Sequence, residues 1–353
     1  MNILKNCWYM IGWSGEVEEN RPLARRICDL PILVYRSAGQ PNALLDMCPH
    51  RFAPLSMGKF GDAGVVTCNY HGLAFDGTGQ CVHNPHGPIA KNMRVRSFPV
   101  IERYRALWIW MGQESLADPN LIPDLSFQEG APDTASSFGY LHGKANYLLY
   151  VDNIMDLSHA DFLHANTLGG GSFVGYHQEV HEEERMVQVR WSKKGVSPSP
   201  LHVNLGSFPA DSLMDRFTDV KWHPPGTMVL TSAFGAAGAS EPEYAKVING
   251  NIMTPETSNT MHYFFSSIRN FKQDDAKFNE IYVKNRDYIF SMEDGMMIAG
   301  VQDRMRGREL FDMKPVLFRT DEAALKVRRK LAAMIEAEHN SERVNDAVKV
   351  ATK

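Results

Sequence analysis

No run of 18 apolar residues occurs anywhere in the 353-residue chain, so no segment reads as a membrane-spanning helix. The first residues lack the charged, apolar and small-residue blocks of a secretory leader, and the expected location is the cytoplasm. A basic surplus is missing too. Lys and Arg number 37 against 41 Asp and Glu, a net charge of −4, which argues against nucleic acid as a partner. The short basic stretches at Arg103-Tyr104-Arg105 and from Arg304 to Arg308 read as solvated faces or ion pairs. There is no Gly-rich dinucleotide fingerprint and no flavin domain, so no nicotinamide or flavin dinucleotide is expected to bind this chain directly. Cysteine is scarce and odd in number, at positions 7, 28, 48, 68 and 81. In a reducing compartment that points away from disulfides and towards a metal or redox role.

What is present suits a globular protein of two domains, with 44% hydrophobic and 22% charged residues. Residues 1–115 read as β-rich, with runs such as Ile32-Leu33-Val34-Tyr35 and Leu107-Trp108-Ile109-Trp110 between Gly, Pro and Asp clusters. A crossing segment follows at Asp118–Asp124, and 116–353 is read as the second domain. Within it, 147–165 reads as helix, ended by glycines 169–171. Strands are expected at 186–191, 227–234 and 261–269, and helices over 275–304 and from Thr320, a candidate cap, to about Ala337. Met292, Met296 and Met297 read as a buried core stripe, or else a pocket wall.

Two short motifs carry chemistry. Cys48-Pro49-His50 is followed after 17 residues by Cys68-Asn69-Tyr70-His71. Each loop offers one thiolate and one imidazole, the donor set of a [2Fe–2S] centre with two Cys on one iron and two His on the other. Structural zinc usually pairs Cys with Cys and His with His, so the mixed loops favour the cluster. Cys81, His83 and His86, just beyond, offer no fourth ligand and read as a loop. Cys7 and Cys28 read as inert buried thiols.

The second motif is Asp152-Asn-Ile-Met-Asp-Leu-Ser-His-Ala-Asp-Phe-Leu-His164. His159 and His164 are five apart, about 140° on an ideal helix, so a shared metal requires the helix to bend, widen or end between them. Two His and one carboxylate with open positions make the facial triad of non-haem Fe(II) oxygenases. Asp294, Glu293 and Asp303 are candidates for the carboxylate. Asp156 lies three residues before His159, a helical neighbour suited to accept from a metal-bound imidazole. Asn153 lies one turn earlier on the same face.

Cys-Pro-His-Arg at 48–51 and Cys-Asn-Tyr-His-Gly at 68–72, with Asn6-Cys-Trp-Tyr9 and Leu107-Trp-Ile-Trp-Met-Gly112, resemble the Rieske non-haem iron oxygenases, and the likeness runs through nearly the whole chain. Residues 48–56, 81–87, 151–159, 254–257 and 262–265 look most like its short demethylase chains, the vanillate O-demethylase and dicamba monooxygenase group. The resemblance implies an α+β protein: an N-terminal all-β Rieske [2Fe–2S] domain and a C-terminal catalytic domain with an antiparallel sheet and helices, of helix-grip (START-like) type. It places the third ligand to a mononuclear Fe(II) at Asp294. It implies that Asp156 bridges His71 of one subunit and His159 of the next in a head-to-tail homotrimer, and that Asn153 lies near the iron. Electrons are to come from a separate flavin/ferredoxin-type reductase that uses NAD(P)H. The expected reaction is O2-dependent O-demethylation of a methoxylated aromatic acid, with formaldehyde released. Ring dihydroxylation, methyl or N-methyl oxidation, and a non-catalytic Rieske electron carrier are the alternatives. Asn251 falls where the dicamba enzyme has a substrate-contacting histidine, and is read as a substrate contact.

Overall fold

The computed structural model describes residues 1–19, 21–168, 173–204 and 208–351; the glycine run at 169–171 lies outside them. The chain divides into two compact units, Met1–Pro123 with Ile335–Lys353, and Asp124–Met334.

In the first unit, strands β1 (Trp8–Trp13), β10 (Val100–Arg103) and β11 (Ala106–Trp110) form one antiparallel sheet in the order β1-β11-β10. Every residue of the central strand β11 is buried, as the unbroken apolar run requires. A second sheet joins β2 (Leu23–Ile27), β3 (Leu30–Ser37), β4 (Gln40–Leu45) and β9 (Ser97–Phe98) in that order. The third sheet is built from very short strands: β5 (Lys59–Phe60), β6 (Val66–Thr67), β7 (Ala74–Phe75) and β8 (Cys81–His83). Leu33, Leu44, Leu55, Val66, Leu73 and Phe75 pack beneath it together with Cys48 and Cys68. The β4–β5 and β6–β7 connections carry the two Cys-His motifs. They approach closely at Gly58, where a Cβ would lie 2.4 Å from the Thr67 carbonyl oxygen; only glycine fits there. The Glu338 carboxylate ties the chain start to the tail by accepting from the Lys5 and Asn6 N–H groups at 2.7 and 2.5 Å.

The second unit is built on a seven-stranded antiparallel sheet. Its strands are β12 (Ser136–Gly143), β13 (His177–Glu183), β14 (Met186–Val196), β15 (Met214–His223), β16 (Thr227–Ala236), β17 (Ala245–Pro255) and β18 (Met261–Arg269), in the order β12-β18-β17-β16-β15-β14-β13. Three of these were expected from alternation. The rest mix polar with apolar residues on the inner face, which blurs the two-residue period.

Helix α1 (Tyr147–Met155) is capped by the Asn146 side chain, which accepts from Leu148 N–H at 2.9 Å. It is shorter than the helix expected over 147–165. At Asp156 the backbone turns extended (φ −119°, ψ 99°), and the Asp156 carboxylate accepts from Ser158 N–H at 2.9 Å. An aspartate that bonds its own backbone two residues on competes with the helix and restarts it as a cap. A 3₁₀ turn (Leu157–His159) and the short α2 (Ala160–Leu163) follow, and a single-turn helix α3 (Pro200–Asn204) lies between β14 and β15.

The expected long helix is present as α4 (Ala276–Tyr288), a π-helical segment (Ile289–Asp294) and α5 (Gly295–Met305). Met292, Met296 and Met297 are exposed, neither core nor pocket wall. Asp294 and Ile298 take the inward face and turn Met292 and Met296, two residues to either side of Asp294, outward. The last long helix, α6 (Glu322–Ala351), is not capped by Thr320. Asp321 accepts from Phe318 N–H at 2.6 Å, and the Thr320 hydroxyl donates to Asp156 Oδ2 at 3.0 Å.

Arg328 of α6 holds the Asp152 carboxylate of α1 in a two-pronged pair at 2.6 and 2.9 Å. Both side chains are largely buried, so removing one partner strands the other's charge. Arg328→Met is expected to cost about 3 kcal/mol, read as a shifted urea midpoint; an unchanged midpoint would disprove a structural role for this pair.

Candidate metal centres

The two Cys-His loops are built alike. In the first, Cys48 N–H donates to the Ala53 carbonyl and Phe52 N–H donates to the Cys48 carbonyl, both at 2.9 Å. In the second, Cys68 N–H donates to the Leu73 carbonyl at 2.8 Å and Gly72 N–H to the Cys68 carbonyl at 2.9 Å. Phe52 (φ 60°) and Gly72 (φ 77°) both take the left-handed conformation that closes such a turn. The Asp46 carboxylate braces the first loop, accepting from Ser56 N–H and its hydroxyl at 2.7 and 2.6 Å.

The donors separate by type. Cys48 and Cys68 are buried and face each other. Burial pushes the Cys48 thiol up, the backbone N–H of His50 draws it down, and the adjacent Cys68 raises it further. The His50 and His71 rings lie 4.3 Å apart, centre to centre, towards solvent. Desolvation, then His50, Arg51 and His86, hold the His71 imidazole below its ordinary pKa and favour the neutral ligand form. Paired thiols inside and paired imidazoles outside fit a two-iron cluster, with backbone N–H groups aimed at sulfur. Cys81 and His86 serve this loop otherwise: the Cys81 thiol meets the His83 carbonyl at 3.3 Å, and the His86 ring meets the His71 carbonyl at 2.9 Å. Cys7 and Cys28 are buried, and burial pushes the Cys28 thiol far up.

The second centre lies at the break after α1. His159 ends the 3₁₀ turn and His164 follows α2, so their spacing of five is met by a helix that has already ended. His159 Nε2 lies 3.5 Å, and His164 Nε2 3.2 Å, from Asp294 Oδ1. One donor atom from each of the three falls within 4.8 Å of the others. The Nδ1 atoms face acceptors: the Asp156 backbone carbonyl for His159 and the Glu293 carboxylate for His164, both at 2.7 Å. These acceptors keep the proton on Nδ1 and leave both Nε2 lone pairs pointing inward, as a metal requires. The donor set fits a facial triad.

The π-helical segment explains how neighbouring carboxylates serve one site: Glu293 supports His164, and Asp294 faces the imidazoles. Thr167 donates to Glu293 at 2.9 Å and Asn153 Nδ2 donates to Asp294 at 3.2 Å. Asp303 is exposed and pairs with Arg304. The Asp156 contact to His159 comes from its backbone carbonyl, since the helix break swings the carboxylate to Ser158 and Thr320. Burial pushes the His159 pKa down, with Asp294 and the Asp156 carbonyl partly offsetting it. Burial also lowers His164, but Asp294 and then Glu293 outweigh it and the pKa rises.

A cavity of about 180 Å³ opens beside this triad. Its floor is one face of the sheet, with Arg216 and Thr218 of β15, Leu230, Ser232 and Phe234 of β16, and Val247, Asn249 and Asn251 of β17. Asn251 is buried; its Oδ1 accepts from Tyr263 at 2.8 Å and its Nδ2 has no partner among the described residues. Neither Glu293 as a support for His164 nor Arg216 in the cavity was found from sequence. The only local signal for Glu293 is its place beside Asp294; for Arg216, a strand residue among polar neighbours, there is none.

The family described as the Rieske [2Fe–2S] domain matches residues 7–99, and the vanillate O-demethylase oxygenase C-terminal domain matches residues 144–337. The chain is 37% identical to the oxygenase component of dicamba O-demethylase from Stenotrophomonas maltophilia, over 96% of this chain and 99% of that one. It is 31% identical to the vanillate O-demethylase oxygenase subunit of Pseudomonas sp. (strain ATCC 19151), over 90% and 97%. The crystal structure of dicamba monooxygenase bound to 3,6-dichlorosalicylic acid superposes with a TM-score of 0.87 at 35% identity, covering 96% of this chain and 99% of that one.

Two outcomes follow for the triad. Asp294→Asn is expected to lose the mononuclear iron and keep the cluster's visible absorbance, whereas Glu293→Gln weakens iron by about 10- to 100-fold in chelator competition; retention of iron by Asp294→Asn would refute this ligand set. Because Asp294 and Glu293 raise the His164 pKa, protons compete with metal at that ring at a higher pH than at an ordinary imidazole. Iron affinity of the metal-free protein is then expected to fall about tenfold per pH unit below that pKa, and a flat profile from pH 8 to 6 would contradict it.

Proposed function

The chain belongs to the Rieske non-haem iron oxygenases of the O-demethylase type, and from that premise we propose that it O-demethylates a methoxylated aromatic acid resembling vanillate. As an oxygenase component it works with a reductase, takes a Rieske [2Fe–2S] cluster and a mononuclear iron, and draws on NAD(P)H only through that partner. In this reading residues 1–115 form the cluster domain and 116–353 the catalytic domain. Cys48, His50, Cys68 and His71 hold the cluster, and His159, His164 and Asp294 hold the iron. The observation that carries it is the convergence of three donor atoms beside a largely apolar cavity.

When bound, the two groups supply single electrons and the site at which O2 meets a C–H bond. The protein does the rest. Asn153 fixes the Asp294 carboxylate, and the Asp156 carbonyl and Glu293 orient the imidazoles. Ile154, Leu157, Leu168 and Phe290 line the cavity and keep water from the reacting carbon. Asn251 offers its free amide N–H to the substrate. One oxygen atom enters the methoxy carbon, and the other leaves as water with two electrons and two protons. The resulting hemiacetal splits into formaldehyde and a phenol.

The working form is a cyclic homotrimer in the cytoplasm. Each Asp156 carboxylate accepts two hydrogen bonds within its own chain. A carboxylate has room for about four, which leaves it free to accept from His71 of the neighbouring copy, while the Asp156 backbone carbonyl holds His159 of its own chain. Tyr288, Met292 and Met296 make an exposed stripe along the helix beside the triad, a surface suited to burial against another copy. No helix among the described residues is long and apolar enough to cross a membrane.

Turnover with a reductase, NADH and a panel of methoxybenzoates is expected to give formaldehyde and phenol in equal amounts. A cis-diol would instead mark a ring dioxygenase, and no product from any aromatic compound would leave an electron carrier. Light scattering on the eluting enzyme is expected to give three times the chain mass, and an active monomer would defeat the ring.

A further inference from the structure

The cavity floor holds a cation the mechanism above does not use. Arg216 is only 6% exposed, and its Nη1 has no hydrogen-bond partner among the described residues. A buried guanidinium donor left unpaired costs free energy unless a ligand completes it. The adjacent Asp215 does not serve: its carboxylate accepts from Gly195 and Gly238 N–H at 2.8 and 3.0 Å. Arg216 is stacked rather than paired. Its guanidinium carbon lies 4.8 Å from the centre of the Phe173 ring and 5.8 Å from that of Tyr176, contacts that fix the plane and leave its edge free.

The same packing ties Arg216 to the triad. Asp161, between the two histidines in sequence, accepts from the Phe173 and Val174 N–H groups at 2.7 and 2.5 Å. It thereby holds Phe173 over the guanidinium. His202, also lining the cavity, adds no second charge. Burial first, then Arg216, drives its pKa down to about 3, and its Nδ1 meets the Ser199 hydroxyl at 2.7 Å. Arg216 also borders an outer cleft, but there Glu179, Asp215 and Glu241 stand among Arg190, Lys193 and Lys194, with Arg190 already paired to Glu241, so that side is of mixed charge. The cavity side is mostly apolar, with Asp294 its one carboxylate among the lining residues.

The geometry points to Arg216 as the residue that binds the substrate's anionic group, and so to an arene bearing a carboxylate or sulfonate as the substrate class. The assignment rests on the O-demethylation of an aromatic acid proposed above and names the residue that selects the acid group. A planar guanidinium edge takes two oxygens of either acid side by side, while the ring lies against the apolar lining. Arg216 on β15 pairs with Phe234, whereas Asn251 on β17 pairs with Met228. The two unpaired donors therefore stand at different ends of the floor, and the anion belongs to Arg216.

The test is calorimetric binding to the iron-loaded enzyme, without O2 or reductase, of 3-methoxybenzoate, 3-methoxybenzenesulfonate and methyl 3-methoxybenzoate. Arg216→Gln is expected to weaken the acids by about 100-fold and the ester by less than about threefold. Arg216→Lys keeps the preference for acids at reduced affinity. In turnover KM for the acids rises more than kcat falls. Equal losses for acid and ester, or no loss for the acids, overturn the proposal. If Arg216→Gln fails to fold, the wild type decides, and equal affinity for acid and ester overturns it. The two acids distinguish carboxylate from sulfonate preference. Formaldehyde from neutral methoxyarenes but not from the acids rejects the anion site and leaves demethylation standing. Acid binding that depends on Arg216, with no formaldehyde from any methoxyarene, does the reverse.

Discussion

An imidazole has two nitrogens, and a metal takes the one that carries no proton. At the second centre that choice is made by the Asp156 carbonyl and the Glu293 carboxylate, each 2.7 Å from an Nδ1. The surrounding structure serves these two contacts. The Asp156 carbonyl is in position because the helix breaks there, and the break is held by Ser158, Thr320 and the neighbouring Asp152–Arg328 pair. Glu293 is in position because the backbone widens between Ile289 and Asp294. Were either acceptor moved, the ring would be free to carry its proton on Nε2 and close the site to metal.

The first centre solves a different problem with similar economy. Two loops of unrelated sequence close by the same pair of backbone bonds, one turning at Phe52 and the other at Gly72. A phenylalanine with positive φ is uncommon, and its place opposite a glycine indicates that loop closure outranks side-chain comfort. The result sorts four donors, thiols inward and imidazoles outward. A two-iron cluster held there would have a dry side at the thiols and an exposed side at the imidazoles.

The chain disclosed its parts unevenly, for physical reasons. Cys48, His50, Cys68 and His71 were legible because each loop is a local object whose spacing is its geometry. His159 and His164 were legible as a pair, but the uninterrupted helix over 147–165 was not the true frame. Composition there favours helix, and one aspartate bonding its own backbone overrides it. Asp294 could be chosen over Glu293 and Asp303 only by resemblance, since the π-helical turn that aims it leaves no mark in residue spacing. Arg216 was invisible. Its neighbours Phe173 and Phe234 are remote in sequence; strand register brings Phe234 beside it, and a bond from the Phe173 N–H to Asp161 places the other. The methionines misled because a helix with one functional face can leave apolar residues on the other.

The widened turn between Ile289 and Asp294 also constrains how such a chain can change over evolutionary time. A π-helical segment amounts to a regular helix with one residue inserted, and Gly295, whose N–H bonds back to the Phe290 carbonyl, closes the extra loop. Substitutions on the outward face leave that count intact. A single-codon deletion would let the helix relax into an ordinary one and rotate everything before the gap by about 100° relative to everything after it. Drift by replacement is thus open to this helix, whereas drift in length is closed.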